Sequence, residues 1–342
     1  MNQGPSRGNT AGSDTGPIHG SEWMNMEQVD YRLLENRVGR LHLKQRVGVQ
    51  TDHGSQVFGR GRTFFHIENW YSIHSVIRTI LRCCGLHERG RRNLKDLRIR
   101  HHEVDLAHLP ESFNGFTILQ LSDLHLDINQ GLADVLIRRI CEVEYDLCVL
   151  TGDYRANTFG SFDLAFRDLA RVLPHVTTPV YGILGNHDAI EMVPALEEMG
   201  VKMLLNESAV ISHDGSEIYL AGIDDPHYYQ TDNLEKAAHE IPHEAASILL
   251  SHSPEIYRRA AHVDFDLLLC GHTHGGQICL PGGKAVFHNA RCPRRMGAGS
   301  WLYHNLRGYT SVGSGAAVVD VRLNCPPEIT LHHLRVAWAD SD

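Results

Sequence analysis

From Phe116 onward, short unbroken apolar runs alternate with stretches in which apolar positions recur every three or four residues. Phe116 to Leu121, Leu147 to Leu150, Val180 to Leu184, Ile218 to Gly222, Ser247 to Leu250 and Phe265 to Leu269 read as core strands. Runs this short and this uniformly apolar suit strands covered on both faces. Leu132 to Glu142 and Phe162 to Leu173 carry the helical period, and Glu328 to Leu334 alternates apolar and polar residues as an outer strand would. Strand and helix taking turns predict an α/β domain with at least one largely buried sheet, over residues 113–336, with a short tail at 337–342.

Upstream, the pattern differs. Trp70, Ile73, Val76, Ile77, Ile80, Leu81 and Cys84 share one helical face. Arg78 and Arg82 interrupt that face, and more basic residues follow. Such a segment, within a basic stretch and linker at 61–112, suits a helix lying on an anionic membrane, with Trp70, Ile73, Ile77, Arg78 and Arg82 at the surface. The alternative is a helix packed on the domain with a solvated basic face. Residues 1–60 lack sustained periodicity beyond a short helical pattern from Val29 to Leu34, and read as a loosely ordered extension.

Composition narrows the picture only locally. The chain has 342 residues, 42% of them apolar, and a formal charge of −9. Between Arg78 and Arg100, however, eight Lys/Arg face two acids. General nucleic-acid binding is therefore not expected, and attraction to anions is confined to that segment. Eight cysteines without a CxxC pair suggest reduced thiols. With no signal-peptide pattern and no run of 18 apolar residues, the expected location is cytoplasmic, with peripheral attachment to the inner face of the cytoplasmic membrane as an option.

The chemistry lies in how the strands stop. Five of them end at LSDLH, TGD, GNHD, LSH and CGHTH. In layered α/β folds the carboxyl ends of core strands share an edge, and ligands bind there. Asp123, His125, Asp153, Asn186, His252, His272 and His274 thus form one set of seven oxygen and nitrogen donors. Residues i and i+2 of extended backbone point the same way, so Asp123 and His125 can serve one ion. His272 and His274, diverging on a turn, can serve two. Seven donors exceed the needs of one ion and suit two, about 3.5–4 Å apart, with Asp153 as the natural bridge. Singly, GD and GNHD are ordinary turn signals, and His252 before Ser253-Pro254 could simply cap a helix. Their joint, ordered occurrence is what singles them out. Mixed donors favour Mn²⁺, with Fe or Zn²⁺ as alternatives, over Mg²⁺. Arg291, Arg294 and Arg295 follow the last motif in a Gly/Pro-rich loop and could hold a second phosphate.

The ordered set D-x-H, GD, GNHD, H and GHxH resembles the calcineurin-like metallophosphoesterase superfamily over about residues 115–335. LSDLHLD, GHTHGGQI and NCPPEITL further resemble its bacterial phosphodiesterase branch, often membrane-associated, which includes a UDP-2,3-diacylglucosamine pyrophosphatase of lipid A synthesis. The resemblance implies a two-sheet β-sandwich flanked by helices. It places Asp123, His125 and His274 on one metal, Asn186, His252 and His272 on the other, and Asp153 between them. His187 would act near the leaving group as proton donor or charge stabiliser, with Asp188 orienting it. The implied activity is hydrolysis of a phosphodiester or pyrophosphate bond by a metal-bridging hydroxide, with a nucleotide-linked lipid as one substrate. A soluble phosphodiesterase or phosphoprotein phosphatase, or a non-catalytic scaffold of the same fold, are the alternatives. One departure stands out: TGDYRANTFG has Asn157 where the family has a further acidic residue.

Overall fold

The computed structural model describes residues 29–52 and 71–337. Two six-stranded sheets face one another. The first runs β1 (Arg98–Leu106), β14 (Glu328–Val336), β2 (Thr117–Leu121), β3 (Leu147–Leu150), β4 (Val180–Gly182), β5 (Val201–Met203). The second runs β12 (Gly299–Tyr303), β13 (Leu306–Thr310), β9 (Leu267–Cys270), β8 (Ser247–Leu250), β7 (Ser216–Gly222), β6 (Glu207–His213). Strands β2 to β5 are parallel, as are β7, β8, β9 and β13.

Both faces of the central strands are buried, and the pleat sorts their side chains between two cores. Ile118, Leu147, Val149, Ile248, Leu250, Leu267 and Leu269 meet between the sheets. Leu119, Leu121, Cys148 and Leu150 point outward beneath α5 (Leu132–Ile140) and α6 (Asp163–Val172). Leu249, Leu268 and Cys270 lie beneath α8 (Leu234–Ala238) and α9 (Tyr257–His262) on the far side. This is the expected α/β sandwich flanked by helices. The eight cysteines are all free thiols.

Three expectations need correcting. The sheet starts at Arg98, not after residue 112, because β1 pairs along the whole of β14. Only Val104 and Leu106 of β1 are buried, so this strand has no apolar run to reveal it. For the same reason β14 is not an outer strand. Its Glu328, Thr330 and His332 are buried instead, and His332 is bonded: its Nε2 lies 3.0 Å from Gln120 Oε1, and Gln120 Nε2 donates to Thr151 and the Cys270 carbonyl. Finally, residues 29–52 are not loose. They form α1 (Tyr31–Val38) and α2 (Arg40–Thr51), whose Leu34, Val38 and Leu43 join the core under the first sheet. Residues 1–28 and 53–70, with Trp70 among them, and the tail at 338–342 lie outside the described residues.

The basic segment forms α3 (Tyr71–Cys83) and α4 (His87–Leu94). Ile77 and Leu81 of α3 pack on Val319, Val321 and Leu323, so the apolar stripe is split. Val76 and Ile80 stay exposed. Arg78 and Arg82 face a cavity against the domain. The side chain of Ile73 lies outside the description. Among the described residues no helix is long and apolar enough to cross a membrane.

Candidate metal centre

The donor-bearing loops leave the carboxyl ends of β2, β3 and β4 in one sheet and of β8 and β9 in the other. Their backbone is not extended. Asp123, His125, Asp153, His272 and His274 have φ of 52°, 43°, 59°, 72° and 50°, in the left-handed region. Few residue types tolerate that conformation, and Asp, Asn and His are among those enriched there. The i, i+2 spacing thus works through a left-handed turn, not through a strand. Loop backbones lock together beyond the sheet: Asp123 N–H donates to Gly152 O, His125 N–H to Asp153 O, and Gly271 N–H to His252 O. Gly271 is required by this closeness, since a Cβ there would collide with Ser122 Oγ and Asp123 Oδ2.

The seven expected donors converge. Asp123, His125 and His274 form one buried cluster, and Asp153, His252 and His272 a second. His125 Nε2 lies 3.1 Å from His274 Nε2, which lies 3.4 Å from Asp123 Oδ1. His252 Nε2 is 2.9 Å from Asn186 Oδ1 and 3.2 Å from Asp153 Oδ2. That same Asp153 oxygen is 3.7 Å from His125 Nε2. Donors about 2.0–2.2 Å from a shared ion stand roughly 2.8–3.6 Å from one another, so these spacings fit a ligand shell.

The outer nitrogens support the fit. His125 Nδ1–H donates to Arg155 O at 2.9 Å and His252 Nδ1–H to Thr151 O at 2.8 Å, turning each Nε2 inward. Burial opposes the charged form of His252, but Asp153 and Asp123 raise its pKa to about 10, so ligation there expels a proton. His272 is reversed: its Nε2–H donates to Asn289 O at 2.7 Å, which leaves Nδ1 as the nitrogen able to take a metal. Burial, then the neighbouring His227 and His252, push His272 well below the usual histidine range. Burial, His125 and Arg322 do the same to His274. Both are thus neutral, as ligands must be. Burial opposes ionisation of Asp153, but His252, His187 and His125 hold it well below the usual carboxylate range.

His187 sits beside the centre, its ring edge-on to His125 and its backbone N–H donating to Asp153 Oδ1 at 2.9 Å. Asp188 does not orient it. The Asp188 carboxylate instead accepts the backbone N–H groups of Asp153, Tyr154 and Gly185, fastening the GD loop to the GNHD loop. Thr158 meets the His187 ring, with Oγ1 2.9 Å from Nδ1. Asn157, in place of an acid, bonds Asp127.

Arg291, Arg294 and Arg295 are exposed and line neither cavity beside the centre. Arg291 contributes its backbone N–H to Glu255, and Arg294 donates to Ala285 O. The second-phosphate role expected of them has no support in their placement. Two residues not singled out from the sequence touch the ligands directly. Arg322, fully buried, donates to His274 O and approaches His274 Nδ1 to 3.2 Å. His227 packs against His272 at a tilt of 48°, with ring centroids 4.2 Å apart. Both lie far in sequence from the residue they serve, in stretches with no periodic signal.

The comparisons agree with this geometry. Residues 116–276 match the calcineurin-like phosphoesterase family. The chain is 28% identical over 257 residues to the uncharacterized metallophosphoesterase YkoQ of Bacillus subtilis (strain 168), covering 72% of this chain and 93% of that protein. It is 29% identical over 245 residues to the phosphodiesterase YaeI of Escherichia coli (strain K12), covering 69% and 87%. It is 30% identical over 249 residues to the uncharacterized metallophosphoesterase YkuE of Bacillus subtilis (strain 168), covering 68% and 84%. The chain belongs to the calcineurin-like metallophosphoesterase family and is a metal-dependent phosphoester hydrolase.

Proposed function

We propose that the protein hydrolyses a phosphodiester or pyrophosphate bond at a dinuclear centre. Asp123, His125 and His274 would hold one ion and Asn186, His252 and His272 the other, with Asp153 placed to serve both. The observation that carries this is the position of Asp153 Oδ2, 3.2 Å from His252 Nε2 of one cluster and 3.7 Å from His125 Nε2 of the other. Two divalent ions bound there would supply an attacking oxygen from water at neutral pH and neutralise phosphoryl charge. Mn²⁺ is the favoured metal, with Fe and Zn²⁺ as the alternatives for this mixed donor set. The chain's own residues do the rest. Asp188 fixes the loops that carry Asp153 and Asn186. Thr158 holds the His187 ring at the mouth of the site, where it donates a proton to the leaving oxygen.

A groove of about 350 Å³ opens on Asp153, His187, His272 and His274. Its walls are Ile77, Ile278, Val286, Phe287, Val318 and Val319. An apolar wall beside a phosphate site supports a substrate with an apolar substituent, such as a nucleotide-linked lipid of the UDP-2,3-diacylglucosamine type. The relative described as a phosphodiesterase supports the diester class.

Hydrolysis of bis-p-nitrophenyl phosphate with added metal tests the first reading. Asp153→Asn abolishes it, and His187→Ala lowers kcat roughly 10²–10⁴-fold. No turnover with Mn²⁺, Fe²⁺, Co²⁺ or Zn²⁺ would sink it. A panel of UDP-diacylglucosamine, cyclic nucleotides, phosphopeptides and glycerophosphodiesters tests the second. Higher kcat/KM on any class lacking an apolar substituent removes the lipid assignment.

A further inference from the structure

A second cavity, of about 550 Å³, lies across a single loop from the apolar groove. Helices α3 and α4 form one wall. His74, Arg78 and Arg82 follow one another at four-residue spacing along α3, and His87 and Arg91 do so along α4. Residues four apart lie on one helix face, so each helix turns a basic ridge into the same space. The opposite wall comes from the metal loops themselves. Asp127 and Gln130 belong to the loop that carries Asp123 and His125, and Ala156 and Asn157 to the loop that carries Asp153.

The acids here are already engaged. Asp127 accepts the backbone N–H groups of Ala156 and Asn157 and the Asn157 amide. Asp320 faces Arg91 at 3.0 Å and His87 at 3.6 Å. Arg78 and Arg82 have no ion-pair partner among the described residues, so the pocket keeps an excess of positive charge. The divider between the two cavities is also specific. Val318 lines both and has φ of 62°. A β-branched residue persists in that conformation only where its surroundings enforce it.

We infer that this pocket binds a second phosphoanion of the substrate, whose scissile phosphate lies on the metal centre. The inference rests on the phosphoester reading of that centre. It assigns to Arg78 and Arg82 the role that the exposed arginines after Gly276 do not fill. It also gives the asparagine at 157 a reason, because a carboxylate there would repel a bound phosphate. Guanidinium groups suit this ligand because their paired N–H donors match phosphate oxygens.

The test begins with metal-stripped protein titrated with inorganic pyrophosphate, which keeps the metal centre out of the readout. The wild type binds saturably, and Arg78→Ala/Arg82→Ala binds at least about tenfold more weakly. Arg78→Lys/Arg82→Lys keeps part of the affinity. Ile80→Ser, on the outer face of α3, binds as the wild type does and controls for helix disruption. With metal restored, UDP and UMP are compared as inhibitors of bis-p-nitrophenyl phosphate hydrolysis. The wild type prefers UDP at least about tenfold, and the double alanine variant loses that preference. No saturable pyrophosphate binding, or equal binding by the variant, overturns the pocket. Weakened binding with an unchanged UDP preference overturns the assignment to substrate. Absence of hydrolysis would defeat the phosphoester reading while leaving the pyrophosphate titration to judge the pocket.

Discussion

Arg322 uses its buried guanidinium mainly on carbonyl oxygens, with no carboxylate in hydrogen-bonding contact among the described residues. Nη1 donates to His274 O at 3.1 Å, Nη2 to Val312 O at 2.6 Å, and Nε to Gly315 O at 2.9 Å. One side chain thus fixes the loop bearing His274 against the turn at 312–315. Partners behind a metal ligand typically govern affinity by 10- to 100-fold. Lysine keeps the charge but loses the planar fork, so it cannot reach these carbonyls together. Arg322→Lys is therefore expected to weaken the ion held by Asp123, His125 and His274 by about 10- to 100-fold and spare the other. Metal analysis after dialysis at limiting Mn²⁺ should find one retained ion per chain where the wild type keeps two. Two ions retained at wild-type affinity would show that Arg322 only packs.

At the scale of elements, α2 is tied to the catalytic loops by a buried charge. Arg46 places its guanidinium 3.3 Å from the Tyr229 ring centroid and donates to Asp188 O at 3.0 Å. Its Nε faces Asp224 Oδ2 at 3.5 Å, and His42 Nε2 faces the same oxygen at 2.8 Å. Burial opposes ionisation of Asp224, but Arg46 and His42 hold it well below the usual carboxylate range. A depressed folded-state pKa gives stability that is fully present above the unfolded value of about 4 and is lost as pH falls below it. Asp224→Asn leaves Arg46 buried and uncompensated, a loss of about 3–5 kcal/mol at pH 7. Urea unfolding from pH 7 to pH 3 should show that loss shrinking toward acid. A difference that stays constant with pH would mean Asp224 is not the charge partner of Arg46.

This tie also shows what the sequence could disclose. Core strands announce themselves by uniform apolar runs, and their ends by Asp, His and Asn. Hence Asp123 through His274 were legible from the five strand-end motifs taken together, though not from any one alone. Helices α1 and α2 offer only Leu34, Val38 and Leu43 as buried apolar anchors, and their polar anchors pair with residues beyond position 180. No local pattern encodes such contacts. The swap of Thr158 for Asp188 as partner of His187 was hidden for the same reason, because left-handed loops decide which way each side chain turns.

At the scale of the molecule, each donor cluster draws on both sheets. His274 from the second sheet meets Asp123 and His125 from the first, and His252 and His272 meet Asp153. An ion in either cluster therefore clamps the two halves of the sandwich at one edge, while the core between the sheets holds the rest. Binding to the folded state alone stabilises by RT ln(1 + [L]/Kd), about 2.7 kcal/mol for each site at a hundredfold excess over Kd. For a domain of roughly 250 residues that corresponds to about 5–10 °C per site. Scanning calorimetry of chelated and Mn²⁺-loaded protein should show a shift of that size or twice it. Asp153→Asn, which strips the bridge, should remove most of the shift, whereas Asp123→Asn should remove about half. If Asp153→Asn gains as much from Mn²⁺ as the wild type, the ions bind elsewhere and do not join the sheets. If Asp123→Asn loses the whole shift, the two sites fill only together, and Asp153 couples them as well as bridging them.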